Sequence, residues 1–402
     1  MSAEPATAPV RQGRHLPLAV VFFTVLLDLL GFGMLLPVLP FYALAYHASA
    51  LQVGLLLSVY SLAQFLFAPL WGSLSDRVGR RKVLLMSIFG TAASNLLLAL
   101  APTLTLLFVA RFAAGVFAAN VSTAQAYIAD GTDPERRAKG MGMVGAAFGL
   151  GFVLGPGIGS FLVTTGSQTL VPFTAAGLSA FNLVLAFFLL PESLPPEMRH
   201  KTSLRWIDLE GLRHLGKGPQ VFGILGVIFL VILSFSAMES MLALFCEDRF
   251  GFGAKETGFL LVFIGIVITA IQGGLIGKLS RRFGERRLIL AGIGLKVVGL
   301  VVLTEAGSLP ILLAAAAILA TGAGIYTPSI PTLISRLTAS DRQGATLGLT
   351  RAPSSLARAV GPFFGGWFFQ HVSPTAPFVA SCLVMVAAGL LAVWVLRGLH
   401  PE

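Results

Sequence analysis

The chain writes one polar knot twice. Gly72-Ser73-Leu74-Ser75-Asp76-Arg77-Val78-Gly79-Arg80-Arg81-Lys82 stands between two long apolar runs, and Gly277-Lys278-Leu279-Ser280-Arg281-Arg282-Phe283-Gly284-Glu285-Arg286-Arg287 stands between two others. Glycine, leucine, serine, arginine, glycine and a basic end recur in the same order. Such a repeat marks two copies of one structural plan. A second echo agrees: Gly155-Pro156-Gly157-Ile158-Gly159 returns as Gly361-Pro362-Phe363-Phe364-Gly365-Gly366. The polar stretch from Asp133 to Gly140 before the first has a shorter counterpart, Asp341 to Gly344, before the second.

The apolar runs say what the plan is. They cover roughly residues 16–44, 51–75, 83–101, 104–128, 140–163, 171–190, 221–245, 256–279, 288–305, 309–333, 344–369 and 374–397. Hydrophobic residues make up 55% of the chain and charged residues 11%, against about 25% charged in an ordinary soluble protein. A soluble fold this apolar could not cover its own surface. About 20 apolar residues cross the hydrocarbon as a helix, and in lipid the backbone must pair within the helix. The expected fold is therefore an all-α integral membrane protein of twelve transmembrane helices. They fall in two six-helix halves, residues 1–190 and 221–402, joined by a linker at 191–220. The first run is too long and too rich in proline for a signal-peptide core, and is expected to be retained.

Charge orients the bundle. The net charge is +10, but the basic residues crowd onto alternate connections, 76–82, 129–139, 191–220, 280–287 and 335–343, and onto the ends of the chain. The opposite loops are nearly uncharged, apart from the stretch Glu247-Asp248-Arg249 to Glu256. This is the positive-inside pattern. It puts the basic connections and both termini in the cytoplasm, and it reports topology rather than a nucleic-acid partner. Within the linker, Leu204, Ile207, Leu212 and Leu215 fit one face of a surface helix; a solvated linker fits equally. Cys246 and Cys382 have no metal-ligand spacing and read as packing residues.

These residues resemble the major facilitator superfamily over essentially the whole length. Gly72 to Lys82 is similar to that superfamily's loop between helices two and three, and Arg111-Phe112-Ala113-Ala114-Gly115 to its motif in helix four. Gly151-Phe152-Val153-Leu154-Gly155-Pro156-Gly157-Ile158-Gly159 looks like the helix-five motif of drug–proton antiporters. Leu27-Asp28-Leu29-Leu30-Gly31-Phe32-Gly33, Ala126-Tyr127-Ile128-Ala129-Asp130, Leu189-Leu190-Pro191-Glu192-Ser193 and Glu247-Asp248-Arg249-Phe250 resemble the tetracycline-efflux branch. The resemblance implies two halves that rock about a central site, and proton-driven export of a small molecule. It implies a gate at Gly72, Asp76, Arg77, Gly79, Arg80 and Arg81, with Asp76 meeting the start of run eleven and neighbouring arginines. The chain departs from that branch at three positions. Ser94 stands where its exporters carry an acid in helix three, Ile268 where they carry a histidine, and Lys296 where they carry another acid. Tetracycline itself is therefore not the implied substrate.

Ionisable residues inside the runs are Asp28, Arg111, Glu239, Lys296, Arg351 and Arg358. A charge at a helix centre costs ~2.5–3.5 kcal/mol on the insertion scale, so such groups face partners or a water-filled cavity. Burial favours the neutral form of a carboxyl, which suits Asp28 to proton coupling; it is equally a structural acid pairing with Arg111 or Arg358. Glu239 holds a proton or a cation, or stands at a wet mouth. Arg111 resembles the family's helix-four arginine, which implies that it tunes a proton-binding acid; a salt bridge that fixes helix packing fits as well. Arg351 and Arg358, seven apart, share a face, and with Lys296 make the second half positive, which suits an anionic or zwitterionic substrate. Arg351 lies near enough to the helix end to snorkel.

Gly151, Gly155 and Gly159 put small residues on one face of run five, where another helix can approach, and Pro156 should bend it. Gln64, Asn95, Asn120, Gln125, Tyr127, Gln272 and Tyr326 are the neutral polar candidates for a central cavity, or for hydrogen bonds between helices. Gly277-Lys278-Leu279 lacks the rest of a phosphate-binding loop, and Gly149-Leu150-Gly151 lies within a membrane run with no strand before it. There is no His-Glu-x-x-His and no Gly-x-Ser-x-Gly. The expectation is a monomeric transporter, not an enzyme, of the inner or plasma membrane. Its partners are a small molecule, protons and lipid, and it has no cofactor, metal or nucleic acid.

Overall fold

A computed structural model describes residues 18–132, 134–194, 197, 199, 219–337 and 351–397. The linker helix expected around Leu204 to Leu215, and the echo at Asp341 to Gly344, lie outside them. Among the described residues the regular structure is all helix. The first half holds α1 (Leu18–Leu35), α2 (Leu39–Leu44), α3 (Ala50–Val78), α4 (Arg80–Ala99), α5 (Leu104–Val116), α6 (Asn120–Gly131), α7 (Pro134–Thr164) and α8 (Leu170–Leu189). The second holds α9 (Pro219–Phe250), α10 (Ala254–Ala270), a π turn (Ile271–Leu275), α11 (Ile276–Thr304), α12 (Leu309–Leu337), α13 (Arg351–His371) and α14 (Ala376–Arg397).

Among the described residues, ten stretches are long and apolar enough to cross a membrane. One of them, Ala254–Thr304, is 51 residues long. At 1.5 Å per residue that is far more than one ~30 Å crossing, and it turns back at Gly284, whose φ is 74°. With α13 this makes the twelve spans. Phe188, Leu383, Leu390 and Trp394 stand exposed on the outside of the bundle, where lipid would cover them.

The repeat is visible in the backbone. Gly79 (φ 104°, ψ 152°) ends α3 and Gly284 (φ 74°, ψ 159°) breaks α11 at the same place in the second knot. Only glycine takes up such angles cheaply. The charges around them are exchanged. Asp76 and Arg80 are ion-paired at 2.6 Å, while the corresponding positions hold Arg281 and Glu285, and Glu285 accepts a 2.8 Å hydrogen bond from Ser280.

Two runs that read as single helices are broken. Run one stops at Leu35 and resumes at Leu39, because Pro37 has no N–H to continue the ladder. Run four breaks at Phe117–Ala119. The carbonyls freed there are met by side chains of neighbouring helices. Trp71 donates to Val116, Ser87 to Phe117, and Gln64 to Ala118 at 3.2 Å. A break inside a membrane stands only when its backbone groups are satisfied this way.

The halves meet along two seams, α3 against α13 and α7 against α10. Both are tight at the end of the bundle away from the basic connections. A Cβ on Gly366 would lie 2.6 Å from the Ala50 carbonyl oxygen, and one on Gly265 2.8 Å from Val153. The Leu51 N–H donates to Gln370 at 3.1 Å, and Ser160 donates to Ala254 at 3.3 Å. One apolar core runs through this end from Met34 and Tyr42 to Met241 and Phe245. Toward the basic end the same α7 face continues as Gly142, Gly145 and Gly149, and there a Cβ would meet nothing within 4 Å. Gly72 in α3 and Gly273, Gly274 and Gly277 in the second half are equally open. Among the described residues, the bundle is closed at one end and parted at the basic end.

Candidate functional site

The break at Phe117–Ala119 builds the first part of the site. It starts α6 at Asn120, whose Nδ2 donates to Asp28 Oδ1 at 2.6 Å and lies 3.4 Å from Thr91. Asp28 is therefore held by Asn120. Neither Arg111 nor Arg358, the partners weighed from sequence, lies within ion-pair distance of it among the described residues.

Arg111, just before the break in α5, is 4% exposed. Its guanidinium lies 4.3 Å from the centre of the Tyr60 ring in α3, inside cation–π range. Its Nε has no hydrogen-bond partner. Tyr60 lies within electrostatic reach of Asp28, Arg111 and Arg358 together. It was not among the sequence candidates. With only 5 tyrosines in the chain, a tyrosine within a membrane run is the signal that could have found it.

Arg111, Arg358 and Glu239 line one cavity between the halves, with Tyr60, Ser61, Ser236, Ser240 and Thr257. The rest of its wall is apolar, including Phe32, Leu35, Leu57 and Leu261. An apolar pocket with a few placed polar groups is the usual form of a small-molecule site. Glu239 feels the charges of Arg358 and of Lys296. Lys296 is 5% exposed in α11, with Phe235 and Tyr326 against its ammonium.

Other candidates stand elsewhere. Gln64 satisfies the helix break. Asn95 is buried and donates to Ser179 at 3.4 Å. Tyr127 is fully buried and donates to the Pro191 carbonyl at 2.7 Å. These three serve contacts between helices. Gln125 lies in α6, Gln272 is exposed in the π turn, and Arg351 opens α13, its side chain outside the described part. Ser94 donates to its own helix at Gly90, 2.7 Å away; Ile268 lies in α10.

The glycine ladder packs on α1. Cβ atoms on Gly151 and Gly155 would meet Leu29 Cβ at 2.6 Å and Gly33 Cα at 2.8 Å. Gly159 faces the Met34 backbone in the same way. Pro156 lies within α7, where a Cβ on Gly33 of α1 would meet its ring at 3.3 Å and one on Gly258 of α10 its carbonyl oxygen at 3.0 Å.

The knot at Gly72–Lys82 is tied from three sides. Arg80 pairs with Asp76 and, through Nε, with Asp130 at 2.7 Å. Glu192 Oε1 accepts the N–H groups of Arg80 at 2.8 Å and Arg81 at 3.3 Å, so a linker carboxylate caps α4, where the helix dipole favours a negative charge. Arg81 donates to the Phe187 carbonyl at 2.6 Å. The start of run eleven, the expected partner of Asp76, falls outside the described residues.

The Major Facilitator Superfamily model matches residues 21–301 and 267–402. The chain belongs to the major facilitator superfamily. It is 36% identical over 354 residues to the class C tetracycline resistance protein of Escherichia coli, covering 86% of this chain and 87% of that protein. It is 30% identical over 381 residues to multidrug resistance protein 2 of Bacillus subtilis (strain 168), covering 93% and 94%. Among solved structures it is similar to the human organic anion transporter MFSD10, with a TM-score of 0.73 and 27% identity over 93% of this chain and 98% of that one. Within the superfamily it is tetracycline-efflux-like, a multi-pass membrane transporter.

Proposed function

We propose that the chain is a proton-driven antiporter that exports amphipathic small molecules across the inner or plasma membrane, with both termini and the basic connections in the cytoplasm. The observation that carries this reading is the Asp28–Asn120 pair beside a cavity whose polar lining includes Arg111, Arg358 and Glu239. A carboxyl within the membrane holds or releases a proton according to which side wets it. With the basic end parted, the cavity takes substrate from the cytoplasm. Closure there, through the Asp76–Arg80–Asp130 cluster, would accompany opening at the other end and exchange substrate for a proton at Asp28. Glu239 is the second protonation candidate, with Arg358 and Lys296 setting its balance of charge.

A second reading keeps the fold and changes the cargo: uptake or exchange of an anionic metabolite. It is favoured by Arg111 and Arg358, which face the cavity with no carboxylate at ion-pair distance among the described residues. The test is an efflux-deficient bacterium expressing the chain beside Asp28→Asn, challenged with tetracyclines, lipophilic cations and zwitterionic quinolones. Resistance that disappears with Asp28→Asn supports proton-driven export. No resistance to any compound favours the metabolite reading. Resistance untouched by Asp28→Asn removes that residue from the coupling.

A further inference from the structure

We propose that Lys296 is a tethered cation filling an aromatic subsite made by Phe235, Tyr326 and Glu239, and that it bars organic cations from the second half of the cavity. The ammonium lies 5.3 Å from the Phe235 ring centre and 5.1 Å from that of Tyr326, both within the ~6 Å at which a ring face attracts a cation. Two aromatic faces and a nearby carboxylate are the parts with which proteins bind a quaternary or lipophilic cation. Here a side chain of the protein takes the ligand's place.

The geometry fits a built site. Lys296 is 5% exposed and has no ion-pair partner within bonding distance among the described residues. Glu239 is the acid whose field reaches it. Gly322 makes room for its stem, since a Cβ there would lie 3.0 Å from Lys296 Cγ. The Tyr326 hydroxyl is buried without a hydrogen-bond partner, a polar atom at the rim of the cradle that answers to nothing in the chain itself. The cradle adjoins the cavity, because Phe235 is followed on α9 by Ser236, Glu239 and Ser240, all of which line it.

Tethering gives the ammonium an advantage no free ligand has. Its effective concentration at the cradle is of millimolar order or more, so a diffusing cation is outcompeted. The consequence is specificity by occupancy. The wild-type cavity takes anionic or zwitterionic amphiphiles, and loss of one ammonium opens it to organic cations. This rests on the proposed function only in taking the cavity as the substrate's path, and the experiment below needs neither transport nor a proton gradient.

The test is equilibrium binding of tetraphenylphosphonium to the full-length protein purified in detergent. Lys296→Met is expected to bind the probe roughly 10-fold or more tighter than wild type, the range two desolvated ring faces provide. The gain should vanish in Lys296→Met/Glu239→Gln and in Lys296→Met/Phe235→Leu. Lys296→Gln serves as the second variant should the methionine variant not fold. A folded Lys296 variant that binds the probe no better than wild type overturns the proposal, and so does a gain that survives both second substitutions. Failure of proton-driven transport with this gain intact would overturn the antiport reading and leave the subsite standing.

Discussion

Gly366→Val should drive the transporter from its present state toward the opposite one. The seam between α3 and α13 is closed at the end away from the basic connections. There a Cβ on Gly366 would stand 2.6 Å from the Ala50 carbonyl oxygen and 3.0 Å from Leu51 Cα. Both are backbone atoms, which cannot swing aside. Overpacking of this kind costs about 1–3 kcal/mol, and the cost falls only on the state in which the seam is shut. The ratio of the two states should therefore shift roughly 5- to 150-fold. Gly149→Val is the matched control. Gly149 continues the α7 face that carries Val153, Pro156 and Ser160, and a Cβ there meets nothing within 4 Å. A side chain at that position should cost nothing in the present state and oppose closure of the basic end. The assay is pulsed electron resonance between spin labels at Thr165 and Ser308, exposed at the closed end in different halves, in a background where the free Cys246 and Cys382 are replaced by alanine. Gly366→Val should populate a longer distance than wild type, and Gly149→Val should not. An unchanged distribution in Gly366→Val, with the protein folded, would refute the argument that these seams set the balance.

Three further substitutions test other links. Glu192→Gln removes the charged cap of α4 and should lower stability by about 1 kcal/mol, read as a fall of a few degrees in the melting temperature in detergent. Gly155→Leu forces a side chain into the Gly33 backbone and should cost ~3 kcal/mol or more, seen as loss of monodisperse protein on size exclusion, whereas Gly145→Leu should leave the yield near wild type. Tyr60→Ala removes the ring under Arg111, a contact of about 0.5–2 kcal/mol. Substrate binding to purified protein should weaken by up to about 30-fold, and Tyr60→Phe should retain most of it.

Much of this architecture could be read from residue order, because membrane helices obey length and composition so strictly. The repeated knot gave the two halves, and its glycines, Gly79 and Gly284, occupy matching backbone angles. The glycine ladder of run five was legible as a contact face, though not which helix it would meet. The site was harder. Its charged members could be named because a charge in lipid demands a reason. Its organisation could not, because Asp28 meets Asn120 only through a helix break held open by Trp71, Ser87 and Gln64, residues far apart in sequence. Phe235 carries no local mark that separates it from lipid-facing or packing aromatics, and Tyr60 is marked only as a rare tyrosine within a membrane run. Asn95 and Tyr127 looked like cavity groups by polarity alone, and a buried hydrogen bond between helices uses the same residue types.

The most direct test of proton-driven export is made with purified protein in liposomes loaded with a pH-sensitive dye. A transported amphiphile identified by the resistance panel is added outside, and dye signal and substrate uptake are followed together. The account predicts that substrate entry drives protons out of the lumen, that an imposed gradient, acid inside, drives substrate uphill, and that Asp28→Asn abolishes both while still binding substrate. Substrate movement with no proton movement, or coupling that persists in Asp28→Asn, would contradict it.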